Sequence, residues 1–399
     1  MLKMHLVRYA ALFWGLAVFM PVGINYLAFF ALLACMLLQG ALPERIGRLR
    51  SHLMWWPAVV YVAWTLLVLA VQPTYPETPS NLWHGLRIVL TLALALALAR
   101  DEAVWALRGF LAAATLSLAI IGLHRLGLPD TALWASLTHH TGNKSIAVAV
   151  QFSLIAASVL VVAMERGGVI RYASLPLSAL LLAIAAAMPS RTSVLVVVVT
   201  LAAACIHRWR ARKLALAAAL GASVLVSGAV VLGLPSVQQR FAQGISEIQA
   251  ARAGDVSEAS WGVRVNMYRH TAQMVVERPL MGWGIGGWTQ QWKQRVSPVL
   301  AGFNMPHNDF LWMGSQAGVP GALALLALVL AGLVASWRRA DLTGRLGFVA
   351  VLTLLLTANV NSAMRDAALG LSLLWVVGLY LRLVSEPQDA VTLLHGPAA

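Results

Sequence analysis

Charged residues are scarce in this chain of 399 residues: they make up 11% of the sequence, whereas hydrophobic residues make up 60%. A soluble domain carries about 25% charged residues. The composition therefore excludes soluble, disordered and secreted disulfide-rich classes. It predicts an integral membrane protein with many spans.

The sequence also has few cysteines and few carboxylate motifs. The two cysteines, Cys35 and Cys205, both lie in apolar runs, which excludes a disulfide framework and indicates buried small side chains. No D-x-D motif occurs. The pair His139-His140, with His124 nearby, matches no zinc spacing, and Asp255 with Glu258 is interpreted as a solvated helix edge. We predict neither a metal site nor a cofactor.

Apolar runs near the bilayer-spanning length recur along the whole chain, and they are too long for tilted barrel strands. They predict an all-α polytopic fold with about twelve transmembrane helices. The first run, Tyr9–Met20, lacks a small-residue cleavage site and is predicted to be retained as a span. The predicted spans are 6–22, 24–42, 54–72, 82–99, 104–123, 145–164, 173–188, 190–206, 214–234, 310–335, 346–363 and 366–384.

Most positive charge falls in alternate short loops, so the net charge of +14 indicates orientation in the membrane. No nucleic-acid motif accompanies it. The bias predicts that both termini are cytoplasmic. The residues assigned to the cytoplasmic side are Lys3, Arg8, Arg45, Arg48, Arg50, Arg100, Arg108, Arg166, Arg171, Arg208, Arg210, Arg212, Lys213, Arg338, Arg339, Arg345 and Arg382.

A polar insertion over 235–309 interrupts the spans on the predicted outer side. It divides the chain into spans one to nine (1–234), the large helical loop (235–309), spans ten to twelve (310–384) and a cytoplasmic tail (385–399). Two amphipathic helices are predicted in the loop, over 236–253 and 260–278. Their apolar stripes are Val237, Phe241, Ile245 and Ile248 in the first, and Val265, Tyr268, Ala272 and Val275 in the second.

The glycines after the second loop helix match G-x-G-x-x-G at Gly282, Gly284 and Gly287. A dinucleotide site would need a preceding strand and a following helix in a βαβ unit, and neither pattern is present. We interpret the motif as a turn in which glycine permits close backbone approach. Trp288 and Trp292, like Trp83, could stack on sugars, but interfacial or packing roles explain them more simply.

Two arginines on the outer side stand out. Arg191 opens a predicted span, where the positive end of the helix dipole gives it no local stabilisation. Snorkelling to the interface explains it, as does an anionic ligand, because the guanidinium fork suits phosphate. Arg264 shares a polar helix face with Tyr268 and Thr271, and an ordinary exposed cation remains the alternative.

His307 is the most informative histidine, in the stretch Pro306-His307-Asn308-Asp309. Pro306 suits the first helical position, which predicts His307 in the first turn of the next span. The helix dipole disfavours imidazolium there, and Asp309 opposes this in part. The expectation is a neutral imidazole able to accept a proton, and a merely capping histidine is the alternative. Gly314, Gly318 and Gly321 predict close helix packing in the same span.

This stretch, with the glycines after it, resembles the His-Asn signature of the O-antigen ligase family. Gly262–Tyr268 looks like the family's loop Arg followed four residues later by an aromatic, usually Trp, for which this chain has Tyr268. Arg278–Gly284 is similar to its Pro-x-x-Gly-x-Gly element, and Arg191 to its other arginine. The layout of spans and outer loop is similar too.

The resemblance implies a bacterial inner-membrane glycosyltransferase that moves a glycan from undecaprenyl diphosphate to lipid A–core on the periplasmic face. It implies His307 as catalytic base and Arg191 and Arg264 as a clamp for the diphosphate, without a metal. Tyr268, Asn308 and Arg365 are expected to bind substrate. Arg87, Arg125 and Lys144 are weaker candidates for binding acceptor phosphates or the donor.

The motifs leave the acceptor open. O-antigen polymerases and protein O-oligosaccharyltransferases share them, so a second lipid-linked glycan or a protein could take the place of lipid A–core. A secondary transporter is the alternative from another class. Transporters carry charges at mid-membrane and related halves, whereas the charges here cluster at the outer ends.

Overall fold

The protein is a bundle of helices, as a computed structural model shows for residues 2–127, 145–187, 191–233, 235–252 and 260–387. No strand occurs among these residues, which confirms the predicted all-α class. The helices before the insertion are α1 Leu2–Ala17, α2 Val22–Gln39, α3 Leu42–Ser51, α4 Trp55–Val71, α5 Thr78–Ala97, α6 Arg100–Arg125, α7 Ser145–Glu165, α8 Gly168–Ala187, α9 Arg191–Trp209 and α10 Lys213–Gly233. The later ones are α11 Pro235–Arg252, α12 Ser260–Glu277, α13 Gly287–Arg295, α14 Asp309–Arg338, α15 Leu342–Val360 and α16 Ala367–Val384.

Eight helices among the described residues are long and apolar enough to cross a membrane, which makes this a multi-pass membrane protein. The number is nine if α3 and α4, bent by 98°, count as one span. The predicted count of twelve is not confirmed. Helix α1 has 16 residues, and the apolar stretches Val194–Trp209 and Lys213–Ala222 are also shorter than a full crossing.

Helices α1 and α6 pack backbone against backbone through two glycines. A Cβ on Gly15 would lie 2.1 Å from the carbonyl oxygen of Ala106, and a Cβ on Gly109 would lie 2.3 Å from that of Leu12. Small residues permit such contact where lipid offers no hydrophobic drive for association. On the same helix α1, the Trp14 ring stacks on Trp375 of α16 with centroids 4.0 Å apart.

The insertion is helical, as expected, and it builds a small apolar core of its own around Trp288 and Trp292. Its second helix, α12, buries a different face from the one predicted. The positions buried on α12 are Val263, Met267, Thr271 and Met274. The two tryptophan rings of α13 pack on that face. The predicted stripe is wrong at Ala272, which is exposed, whereas Val265, Tyr268 and Val275 are half-buried and Tyr268 packs against the core.

Helix α14 is broken in the middle, at Ala317 (φ −127°, ψ 15°) and Gly318 (φ 71°, ψ −178°). Pro320 follows, and it has no N–H to continue the helical ladder. The break leaves backbone groups that need partners, because unsatisfied polar groups inside a membrane protein cost several kcal/mol.

The glycine-rich turn between α12 and α13 supplies most of those partners. The amides of Trp283 and Gly284 donate to the carbonyl oxygens of Ser315 (2.8 Å) and Gln316 (3.0 Å). Val319 N donates to Pro279 O at 2.7 Å, and Trp64 Nε1 donates to Ala317 O at 2.7 Å.

Three glycines of this turn have positive φ, namely Gly282, Gly284 and Gly286. A Cβ on Gly282 would lie 2.5 Å from the backbone carbon of Gln316. The motif therefore permits a close turn, as interpreted from the sequence, and its backbone joins the insertion to α14.

Replacing Gly318 with Ala should destabilise the folded protein by at least about 3 kcal/mol. The backbone there lies in a region that only glycine adopts readily, and the new Cβ would meet Leu280 O at 2.1 Å. Unfolding in detergent, followed by circular dichroism, measures the change.

Gly302→Ala is the matched control, because Gly302 has no positive φ and a Cβ there would meet open space. Its effect should stay within about 0.5 kcal/mol. Equal stability of both variants would show that the break in α14 does not need glycine.

Candidate functional site

Three segments meet where the insertion packs on the bundle, at what we name the loop end. They are α12, the segment 303–309 that leads into α14, and the α15–α16 turn over 361–366. The Tyr268 hydroxyl lies 3.0 Å from His307 O and 2.9 Å from Asn359 O, so it can donate to either carbonyl. One α12 side chain therefore contacts both the segment before α14 and the last turn of α15, which leads into the α15–α16 turn.

His307 does not lie in the first turn of α14, and that prediction is wrong. The helix begins at Asp309, because Asn308 acts as its N-cap: Asn308 Oδ1 accepts the amides of Phe310 (3.0 Å) and Leu311 (2.9 Å). His307 precedes the cap and has φ 55°, the one positive φ of a non-glycine residue in the described ranges. Such left-handed backbone is uncommon outside glycine and concentrates at functional sites.

The imidazole of His307 is half-buried and neutral at pH 7. Burial, and then the positive charge of Arg264, lower the pKa of His307 to about 4. A hydrogen bond with the Asn361 side chain and the charge of Asp366 act in the opposite direction. The opposing influence predicted for Asp309 stays a prediction. The Nδ1 atom is buried and has no partner among the described residues.

Arg264 lies on α12 one turn before Tyr268 and is half-buried. Its charge acts on both His307 and Tyr268. Burial raises the pKa of Tyr268, and Arg264 only partly offsets this rise. Arg264, Tyr268 and His307 therefore lie close together, and their role in one site with Arg191 stays a prediction.

Arg191 is the first residue of α9, and its side chain lies outside the described part of the structure. The other end of α9 packs far from the loop end: His207 Nε2 lies 3.2 Å from Ser336 O, near the end of α14. A helix of 19 residues spans roughly 28 Å. We infer that the start of α9 lies toward the loop end of the bundle.

A buried carboxylate holds the α15–α16 turn. Asp309, which is fully buried, accepts the amides of Met364 (2.8 Å) and Arg365 (3.1 Å). From the other side Arg87, also fully buried, donates through one guanidinium nitrogen to Arg365 O (2.5 Å) and Asp366 O (2.9 Å).

The side chain of Arg365 points among these groups and is 6% exposed. Its guanidinium lies 5.7 Å from the ring centre of Trp312. Burial and the charge of Arg87 lower the pKa of Arg365 to about 10, against the opposing charges of Asp309 and Asp366. The group still carries its full charge at pH 7.

The other predicted substrate-binding residues have structural contacts. Asn308 Nδ2 donates to Asn359 O at 3.0 Å while its oxygen caps α14, and the Tyr268 hydroxyl is bonded as described. Their contact with substrate stays a prediction. Trp288 and Trp292 are buried and stacked at 5.3 Å inside the insertion, so packing explains both.

Several sequence candidates lie outside the described residues, namely His139, His140, Lys144, Asp255 and Glu258. The side chain of Arg125 does too. Within the described ranges, no three His, Cys, Asp or Glu side chains are grouped so that they could hold a metal ion.

The loop end thus combines guanidinium groups with an uncharged imidazole in a partly dehydrated setting. Fixed cations stabilise negative charge more strongly where water is excluded, and a neutral imidazole can accept a proton. The fold and this cluster define a multi-pass membrane protein in which guanidinium groups and a histidine lie close together at the loop end.

Residues 176–326 match the sequence model of the protein family described as O-antigen ligase. This match confirms the resemblance to the O-antigen ligase family and supports a glycosyltransferase-like enzyme of the ligase and polymerase superfamily. The matched range contains Arg191, Arg264 and His307, whereas Arg365 lies beyond it. A search of curated proteins finds no match.

Sequence reasoning missed the roles of Asp309 and Arg87 in holding the turn. The signal was present, because each is a charge inside or at the start of an apolar run, and such charges are costly unless they have partners. It also missed the polar run Asn359, Asn361 and Ser362 between two spans.

Replacing Arg264 with Gln should raise the pKa of His307 above its value of about 4. The value should remain below 6.5, because burial, the larger cause, persists. NMR titration of labelled histidine in detergent measures the shift. Arg269→Gln, which removes an exposed cation from the same helix, should leave the pKa of His307 unchanged. An unchanged or lower pKa in the Arg264 variant would show that the charge of Arg264 does not lower the pKa of His307.

Proposed function

We propose that this protein is an O-antigen ligase that transfers a glycan from undecaprenyl diphosphate to a sugar hydroxyl of lipid A–core. The observation that supports this most directly is the neutral imidazole of His307 within electrostatic reach of Arg264. The family match over residues 176–326 supports the same reaction class.

Arg191 and Arg264 bind the diphosphate of the donor in this proposal. The guanidinium fork donates two parallel hydrogen bonds to a phosphate, and the leaving diphosphate gains negative charge as the glycan departs. Arg264 lies on α12, whose buried face packs in the core of the insertion, and Arg191 is the first residue of α9. No metal ion is required for this role.

His307 is the proposed general base. It takes the proton of the acceptor hydroxyl while the hydroxyl oxygen forms a bond to the anomeric carbon of the donor glycan. The bond from that carbon to the phosphate oxygen breaks, and undecaprenyl diphosphate leaves with the electron pair. A single displacement of this kind inverts the anomeric centre.

A pKa of about 4 makes His307 a weak base in the unliganded protein. Bound diphosphate changes this, because its negative charge offsets Arg264, which is one cause of the low pKa. Donor binding therefore raises the proton affinity of His307 when a base is needed.

The proposed orientation puts the loop end in the periplasm of the bacterial inner membrane. Basic residues cluster at the opposite end, where Arg45 pairs with Glu102 at 2.7 Å and Arg382 donates to Leu98 O at 2.5 Å. Positive residues favour the cytoplasmic side. Both termini are then cytoplasmic.

Deleting the gene separates the candidate acceptors. Loss of the O-antigen ladder with intact core and continued synthesis of lipid-linked polymer supports the ligase. Loss of polymer length supports a polymerase, and loss of glycan from a protein supports an O-oligosaccharyltransferase.

Replacing His307 with Asn should lower glycan transfer by roughly 10²–10⁴-fold. Asn tolerates the left-handed backbone at this position but offers no base, so the fold should persist. Arg264→Gln and Arg191→Gln should each lower transfer by about 10²-fold or more. Transfer by the purified protein in lipid nanodiscs measures these rates.

Arg269→Gln is the control for loss of one positive charge and should transfer at the wild-type rate. Wild-type activity should also survive an excess of chelator, since the proposed reaction uses no metal. Folded His307 and Arg264 variants with wild-type rates, or abolition of activity by chelator, would contradict the mechanism.

The pH profile should reveal the change in His307 on donor binding. The acid limb of kcat/KM for the donor reports the free enzyme and should fall near the pKa of about 4. The acid limb of kcat reports the enzyme–substrate complex and should lie at higher pH. Transfer rates measured between pH 4 and 8 test this order, after correction for the donor's own ionisation. Coincident limbs near pH 6.5 would contradict the proposed coupling.

A further inference from the structure

The side chain of Arg365 is buried, and its Nε lacks an acceptor. The residue is 6% exposed, and Nε is shielded from solvent with no hydrogen-bond partner among the described residues. An arginine has five N–H donors, and leaving charged donors buried and unsatisfied costs more than leaving neutral ones. Such a side chain is suited to a ligand that brings the acceptor atoms.

The nearby carboxylates do not supply those atoms. Asp309 uses its two oxygens to accept the amides of Met364 and Arg365. Asp366 acts as the N-cap of α16 and accepts the amide of Leu369 at 2.8 Å. Both carboxylates reduce the net charge around the guanidinium, but their hydrogen-bonding capacity is directed at the backbone.

The backbone that carries Arg365 is held from two sides. Asp309 binds amides of the turn, and Arg87 donates to its carbonyl oxygens at Met364, Arg365 and Asp366, at 3.3, 2.5 and 2.9 Å. Neither contact uses the Arg365 side chain. Asp309 and Arg87 thus hold the backbone of the turn, and the guanidinium of Arg365 takes no part in holding it.

Other polar atoms without partners lie close to this guanidinium. The charge of Arg365 acts on both His307 and His84, which places it near both rings. Nδ1 of each ring is buried with no partner among the described residues, as is the hydroxyl of Ser362 on the same turn. Trp312 adds an aromatic face beside the guanidinium. Arginine beside an aromatic ring suits a sugar that carries an anionic group.

We propose that Arg365, with Ser362 on the same turn and His84 within reach of its charge, binds an anionic substituent, phosphate or carboxylate, of the acceptor glycan. This inference rests on the proposed function and adds a subsite to it. In the proposed function, Arg191 and Arg264 bind the donor. Arg365 lies on the same turn as Asn361, and the Asn361 side chain contacts the proposed base, His307. An acceptor held at Arg365 is therefore held next to His307.

The experiment compares acceptor binding by the wild type and by Arg365→Met, using the full chain in nanodiscs. The probes are intact lipid A–core, the same glycolipid with its phosphates removed, and a form with its carboxylates reduced. Arg365→Met should bind the intact acceptor at least about tenfold more weakly, since charge-assisted bonds to an oxyanion are lost. Binding of the undecaprenyl-diphosphate donor should stay unchanged.

The stripped acceptors show which anion is recognised. The wild type should bind one of the two stripped acceptors about as weakly as Arg365→Met binds the intact acceptor. Arg365→Met should bind that stripped acceptor and the intact acceptor equally well. Arg269→Gln is the matched control and should bind all three as the wild type does. Because both contacts that hold the turn remain, Arg365→Met should keep the wild-type melting temperature.

Three results would overturn this inference: equal binding of intact acceptor by Arg365→Met and wild type, weakened donor binding instead, or the same loss for every stripped acceptor. Transfer is measured separately on the wild type. If transfer is absent but acceptor binding depends on the anion, the proposed function is refuted and the subsite stands. If transfer is normal but Arg365→Met does not change acceptor binding, the subsite is refuted and the proposed function stands.

Discussion

Backbone groups at breaks in membrane helices must find partners inside the protein, and this constraint shapes the whole loop end. The break at Ala317–Gly318 finds its partners in the glycine-rich turn and in Trp64. The α15–α16 turn finds them in Asp309 and Arg87, two charged side chains from different helices. Without these bonds, neither the insertion nor the turn would have a fixed position on the bundle.

The candidate site is built where these irregular segments meet. Tyr268 joins α12 to the segment before α14 and to the end of α15, and Asn308 caps α14 directly after His307. The left-handed backbone of His307 is maintained by these neighbours. The bundle thus carries the candidate site residues on or next to short connections whose backbone is held by hydrogen bonds.

Electrostatics at the loop end is unbalanced in a way that an anionic ligand would correct. Arg264 and Arg365 both act on an imidazole that is already hard to protonate because it is half-buried. Negative charge brought by a donor would offset Arg264, and an anionic acceptor would offset Arg365. The fixed cations that we propose to stabilise a leaving diphosphate would thereby adjust the basicity of the neighbouring histidine.

The all-helical membrane fold, the helical insertion and the motif residues Arg264, Tyr268 and His307 were accessible from the sequence, because apolar length, charge bias and short motifs are local properties. The face that α12 buries, the start of α14 at Asp309 and the roles of Asp309 and Arg87 were decided by tertiary structure. They depend on which side chain reaches which backbone group across the bundle. Met364 and Arg365 lie more than fifty residues from Asp309 in sequence, and no local pattern specifies that a carboxylate will accept their amides.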